Sequence, residues 1–400
     1  MIDLLLFTLL GIGLGMITGL IPGLHVNTVS FTLIGAAFLN PYYIITIIIA
    51  MAITHTIFDY IPSIFLGAPE PSTALSVLPG HMMLLEGRGL HALFLTVVGG
   101  AMSIGITVLL FIPFLFLIPV IYQNIYTYLH WILIIISFVM LYTERGWKKM
   151  YGVFVFLLSG MLGVITLNSY MLPSHLVMFP LFTGLFGIST MLISLNMKTG
   201  LPKQKMYFPK ISRRLAFVGT VKGLFSGMLL GVLPGVGAAQ ATVLTQQLTR
   251  RYDIHEFLVS IGAINTVVAL FSLISLYTIN KARSGAAVAV DSLIPSFGIT
   301  ELQLLLAVAL ISTGISTILI LKLARPIISV LQRINYTKLT IMILVFLVVM
   351  TIIFTGPYGL LILAVSTSIG LLPPLFGVKR SLSMGVLMVP LIIFYASLAV

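Results

Sequence analysis

The chain has 400 residues, of which 59% are hydrophobic and 8% charged, a formal net charge of +12 and no cysteine. Soluble domains carry about 25% charged residues, so this composition excludes a soluble fold and describes a polytopic membrane protein with no separate soluble domain. Disulfides, thiol catalysis and thiolate metal sites are excluded as well, and the bases, gathered in short clusters between apolar runs, follow the positive-inside pattern of membrane loops rather than a nucleic-acid surface.

Taken in order, apolar runs at 4–20 and 24–39 flank a break at Pro22-Gly23. The first run contains Asp3 and no basic n-region, so it is expected to be a mature segment and not a cleaved signal. Its Gly11, Gly15 and Gly19 form a stripe four apart, which lets another backbone approach closely. Pro22 removes a backbone donor and disfavours helix in the residue before it. Asn40-Pro41 is a turn, and 42–66 is a long span. Gly67-Ala68-Pro69-Glu70-Pro71-Ser72-Thr73 is too rich in proline to be helix, and a short run, 73–85, ends in Glu86-Gly87-Arg88-Gly89. Spans follow at 91–119, 125–142, 151–167 and 174–195. The loop 196–214, with Lys198, Lys203, Lys205, Lys210, Arg213 and Arg214, is the most polar stretch and divides 1–195 from 215–400.

The second half repeats the plan. Runs at 215–233 and 236–249 flank Pro234-Gly235, after a stripe of Gly223, Gly227 and Gly231, each 212 residues beyond its counterpart. A span at 256–279, a polar loop at 280–285, a short run at 286–295 and spans at 301–321, 339–355, 358–376 and 383–400 complete the map. With loop 196–214 in the cytoplasm, Arg88, 144–150, Arg250-Arg251, 322–338 and Lys379-Arg380 fall on the same side and the N-terminus lies outside. The expected fold is an all-α polytopic protein of the plasma membrane with two inverted-topology repeats, each opening with a helix broken at Pro-Gly.

A helix break at membrane depth is tolerated only where the freed backbone is buried in protein or lines a polar cavity. Two breaks at matching positions point to a transporter's binding site; the alternative is tight packing with a proline kink. His25, Asn27 and Thr28 follow the first break, and Gly237, Gln240 and Thr242 follow the second. Freed amides and a half-helix N-terminus attract an anion there. His25 either titrates near neutrality or packs hydrogen-bonded at the kink. Of the nine acidic residues, Asp3, Glu144, Asp253, Glu256 and Glu301 sit at span ends and read as solvated or as helix N-terminal charges. Glu86 beside Arg88 reads as a surface pair. Asp59, Glu70 and Asp291 lie in or next to apolar spans, where ionisable groups are costly. Glu70 shares the proline-rich loop with Ser72 and Thr73; Lys281 and Arg283 occupy the corresponding region of the second half, to bind ligand or to neutralise Glu70. His55 and Asp59, four apart, share a helix face as a proton relay or a satisfied pair. Asp59, Glu70 and His55 are the coupling candidates. No enzyme signature is present, so no catalysis and no cofactor are expected, and no metal beyond Na⁺ as a coupling ion.

Gly15-Met-Ile-Thr-Gly-Leu-Ile-Pro-Gly23 and Gly227-Met-Leu-Leu-Gly-Val-Leu-Pro-Gly235 resemble the hallmark that opens each half of the large membrane subunit of the tripartite tricarboxylate transporters (TctA). The stretch from Ile61 through Pro79-Gly80-His81 to Leu93 is similar to that family's second block, and Gly370–Arg380 sits at its glycine-rich final turn. Ala68-Pro69-Glu70-Pro71, and His25 with Asn27, depart from the pattern. The resemblance implies a secondary permease for carboxylates that works with a small membrane subunit and an extracytoplasmic binding protein. The expectation is thus a permease for a small anionic solute, coupled to Na⁺ or H⁺ and forming a homo-oligomer. A translocase of lipid-linked phosphate head groups is the alternative; an intramembrane enzyme using His55 and Asp59 would leave the paired motifs without a role.

Overall fold

The computed structural model describes residues 2–21, 26, 29–30, 33, 40–66, 77–125, 128–169, 171–172, 174–196, 202–232, 253–294, 296–333 and 336–399. Among them every regular element is helical, and ten stretches are long and apolar enough to cross a membrane. The elements are α1 (Ile2–Leu20), α2 (Pro41–Phe58) running into a π turn (Pro62–Leu66), α3 (Val77–Leu85), α4 (Gly89–Leu109), α5 (Phe111–Ile125), α6 (Leu129–Tyr142) and α7 (Lys148–Leu167). Then come α8 (Ser174–Phe182) joined by a π segment (Thr183–Ile188) to α9 (Ser189–Asn196), α10 (Arg213–Val232), α11 (Ile254–Ile279), α12 (Gly285–Leu293), α13 (Ile299–Arg333), α14 (Tyr336–Phe376) and α15 (Gly385–Ala399).

Proline and glycine set the interruptions. The apolar run 91–119, expected as one span, is two helices that part at Leu110. Pro113 has no N–H to continue α4, but in the first turn of α5 none is needed. Pro62 likewise prevents α2 from running on regularly past Asp59, and the chain takes a π turn. Gly356 adopts φ 61° and ψ −157° before Pro357 and divides α14 in two, at the boundary expected between 339–355 and 358–376.

Both glycine stripes are used in the same way. A Cβ on Gly11 or Gly15 would lie 2.5 or 2.6 Å from the carbonyl oxygens of Ile47 and Met51, and one on Gly19 would lie 2.8 Å from the Phe58 Cβ. On α10, a Cβ on Gly223 would lie 2.4 Å from the Ser260 carbonyl, and one on Gly231 2.3 Å from the Phe271 Cβ. The neighbours correspond one to one: Ile47 with Ser260, Ala50 with Ala263, Met51 with Ile264, Thr54 with Val267 and Phe58 with Phe271, each pair 213 apart. The pair α1–α2 and the pair α10–α11 therefore have the same packing register.

The helices sort into two bundles, each drawing on both sides of the linker. One holds α1 to α5 and α10 to α13 around a large apolar core, with a small satellite of Leu230 and Ile264. The other holds α6 to α9, α14 and α15 around two adjoining clusters. Among the described residues, no helix of one bundle packs along a helix of the other. Leu66, at the end of the π turn, and Leu229, near the end of α10, reach from the first bundle onto the apolar clusters of the second. α2 and α11 are enclosed by protein, whereas most of α14 faces outward.

The linker 202–212 is held down. The Gln204 carboxamide accepts from the Gly89 N–H (2.9 Å) and donates to the Leu84 and Pro202 carbonyls (2.7 and 3.0 Å), and the Lys205 N–H donates to Gly87 O (2.8 Å). It is thereby clipped to the turn between α3 and α4. Phe208 packs on Phe94, and the Arg325 guanidinium stacks 4.9 Å from the Phe208 ring centre.

Candidate functional site

The enclosed helices α2 and α11 bring polar groups together where they cross. Asp59 is 1% exposed at the C-terminal end of α2. Its Oδ2 accepts from Asn265 Nδ2 of α11 at 2.9 Å, and the same nitrogen donates to the Thr56 carbonyl at 3.2 Å. One turn further, Tyr60 Oη donates to the Ile261 carbonyl (3.0 Å). His55 is also buried, and its Nδ1 lies 3.1 Å from Thr18 Oγ1 of α1. The Thr18 hydroxyl also lies 3.2 Å from Gly15 O, so it links His55 to the backbone of α1. His55 and Asp59 share a face of α2 as expected, yet these bonds lead apart, one to α1 and the other to α11.

The second half places Ser272 where the first has Asp59, at the same offset of 213. Ser272 Oγ accepts from the backbone N–H groups of Arg283 and Ser284 (2.9 and 2.7 Å). That fixes the loop carrying both predicted cations. Lys281 Nζ donates to Tyr122 Oη at the end of α5 (2.9 Å), and the Arg283 guanidinium lies 5.5 Å from the centre of the Tyr122 ring. Ser272 and Asn265 are seven residues apart on α11, two turns or roughly 10 Å along one face. The Asp59 crossing and the cationic loop thus lie along a single helix.

Most of the other acidic residues among those described have partners. Asp253 caps α11 through the His255 N–H (2.8 Å). Glu256 sits in the first turn of α11 and pairs with Lys222 of α10. Glu301, in the first turn of α13, accepts from Tyr42 Oη (2.9 Å) and the Gly298 N–H (3.0 Å). Glu86 pairs with Arg88, and Asp3 and Asp291 are exposed. Glu144 corrects the sequence expectation: it is not solvated but 7% exposed, and its Oε1 accepts from the Lys379 N–H (3.0 Å). A carboxylate at a span end can be drawn inward when a facing turn offers an unpaired amide.

Pro22, Gly23, His25, Asn27, Thr28, Glu70, Ser72, Thr73, Pro234, Gly235, Gly237, Gln240 and Thr242 lie outside the described residues. Sequence reasoning does not single out Asn265. A signal is nevertheless there: an amide in the middle of a 26-residue apolar helix needs a buried partner.

His81 of α3, next to the proline-rich loop, is buried, with Nδ1 3.0 Å from the Ile64 carbonyl. Burial pushes its pKa below the ordinary 6.5, although the bond to Ile64 opposes this. Because the unfolded state takes up a proton that the folded state resists, His81 contributes stability above pH about 6.5 that is lost as pH falls. The melting temperature of the purified protein is expected to drop between pH 7 and 5, and His81→Gln to flatten that drop. An equal slope in the variant would show that His81 is not its source.

The profile of the tripartite tricarboxylate transporter TctA family matches residues 5–385. An uncharacterized protein of Methanocaldococcus jannaschii is 31% identical over 408 residues, which cover 98% of each chain. No solved structure matches the chain. From the doubled glycine stripes to the final turn near Arg380, this multi-pass membrane protein belongs to the tripartite tricarboxylate transporter TctA family.

Proposed function

We propose that the chain is a secondary-active permease of the plasma membrane. It moves a small carboxylate anion, coupled to Na⁺ or H⁺, through a site between the Pro22-Gly23 and Pro234-Gly235 breaks. In this reading 1–195 and 215–400 form inverted repeats, the linker is cytoplasmic and the N-terminus is outside. Family members usually work with a small membrane subunit and an extracytoplasmic binding protein, and these are the partners proposed here.

The observation that carries the reading is the matched register of the two stripe helices on α2 and α11. It brings two equivalent helix ends to equivalent places, each directly before a Pro-Gly. Family membership and the division into two bundles add support. A carrier has to expose its site to each side in turn, and one bundle can shift against the other without opening either apolar core. Leu66 and Leu229 reach across that division; Leu66 directly precedes the segment bearing Glu70, and Leu229 lies five residues before Pro234.

The test is uptake of labelled citrate and succinate into proteoliposomes. Replacing Pro22-Gly23 or Pro234-Gly235 by Ala-Ala is expected to cut uptake by about tenfold or more, the scale of losing an interaction worth about 1.4 kcal/mol, with expression and melting temperature retained. Unimpaired uptake in both variants would overturn the site.

A further inference from the structure

Arg283 has a buried guanidinium edge that the protein itself does not use. Its backbone is fixed on both sides: Asn280 turns the chain at φ 55° after α11, Ser272 holds the N–H groups of Arg283 and Ser284, and Ser284 caps α12 through the Ala287 N–H (3.2 Å). Nε and Nη2 of Arg283 are shielded from solvent and have no hydrogen-bond partner. The ion pairs among the described residues are Arg88–Glu86, Lys222–Glu256 and His255–Asp253, and none involves Lys281 or Arg283. A guanidinium held this way is costly unless an acceptor completes it.

The identity of the two atoms narrows the acceptor. Nε and Nη2 project from the same edge of the guanidinium plane as parallel donors. A carboxylate meets such an edge with both oxygens at once, the bidentate pairing that gives Arg its selectivity for planar anions. Lys281 is committed to Tyr122 Oη and supplies charge rather than a fork. The N-terminal end of α12, a helix of nine residues, adds positive potential beside it.

We propose that Arg283 clamps a carboxylate group of the transported anion through its Nε–Nη2 edge. The proposal rests on the permease reading and assigns its cargo a planar carboxylate. The edge is closed off from water in this conformation, so exchange with solvent belongs to another state of the cycle.

The experiment measures melting temperature and proteoliposome uptake for wild type, Arg283→Lys, Arg283→Gln and Lys281→Gln, with citrate, succinate and inorganic phosphate as probes. Wild type is expected to melt higher with a carboxylate and to respond less to phosphate, since a ligand bound only by the folded form stabilises it. Arg283→Lys keeps the charge and loses the fork, and should raise the KM for carboxylate by about tenfold or more, with a smaller rise for Lys281→Gln. Arg283→Gln should melt without ligand at least as high as wild type, because it removes the two shielded donors that have no partner, and should lose the carboxylate-induced shift. Equal KM values for wild type and Arg283→Lys would overturn the clamp while leaving the permease standing. So would an Arg283→Gln protein that melts lower without ligand and keeps its carboxylate KM, the behaviour of a structural arginine. A wild type that responds to phosphate but not to carboxylates would overturn the ligand class. A wild type that neither binds nor transports any probe would remove the permease reading itself.

Discussion

Gly262→Ala is expected to leave little folded protein. α4 and α11 cross where Gly99 and Gly262 sit face to face with the opposing backbone. A Cβ on Gly262 would stand 1.9 Å from the Thr96 carbonyl oxygen, and one on Gly99 would stand 1.9 Å from the Val259 carbonyl oxygen. These neighbours are main-chain atoms of packed helices, so no side chain can swing aside. The helices must separate, which opens the core around Leu258, Val259 and Leu95. Overpacking of this kind costs about 3 kcal/mol or more, a large share of a typical folding free energy. Gly13 and Gly314 provide the internal control, because a Cβ on either would meet nothing within 4 Å. Alanine there should be neutral or stabilising by up to about 1 kcal/mol. Thermal unfolding in detergent, with fluorescence-detected size exclusion of fresh extracts, separates the two classes. Gly99→Ala and Gly262→Ala proteins that melt like wild type would show that the helices do not approach this closely.

The contrast between these glycines shows what the sequence could and could not convey. The stripes at Gly11–Gly19 and Gly223–Gly231 were legible because they repeat every four residues and recur in the second half. Gly99 and Gly262 lack both marks, yet they make the closer contact. Apolar length announced the spans, and Gly356-Pro357 marked the division of α14, but Pro62 and Pro113 sit inside runs that read as single spans, and the bundle to which a span belongs was illegible. In a membrane the face turned to lipid and the face turned to protein are both apolar. Nothing in α7 or α14 therefore separates them from α4 or α13. Asp59 was legible as an intramembrane acid, whereas its partner Asn265 was not, because a neutral amide draws less notice than a charge. The fate of Glu144 was illegible for a related reason: its partner is a backbone N–H 235 residues away, and every residue type but proline has one.

Asp59→Asn is expected to separate coupling from folding. Carboxylate and carboxamide have nearly the same shape, and the carboxamide oxygen of the variant can still accept from Asn265 Nδ2 where Asp59 Oδ2 does now, at 2.9 Å. The bond between α2 and α11 survives, so the melting temperature should move little. What disappears is the ionisable charge at the enclosed crossing, in a membrane-spanning chain where such groups mark ion pathways. If Asp59 carries the coupling ion, gradient-driven accumulation of the anion should fall by about tenfold or more, the scale of a typical coupling free energy. Exchange of labelled for unlabelled anion at equal concentrations should persist, because exchange needs no net ion movement. Asn265→Leu tests the opposite half of the pair. It leaves a buried carboxylate without that donor and should cost about 1–3 kcal/mol of stability. Combined with Asp59→Leu it should cost less than the sum of the two, since the carboxylate deprived of its donor is then gone. An Asp59→Asn protein that accumulates the anion as wild type does would confine the residue to a structural bond and return the coupling role to Glu70 or His55.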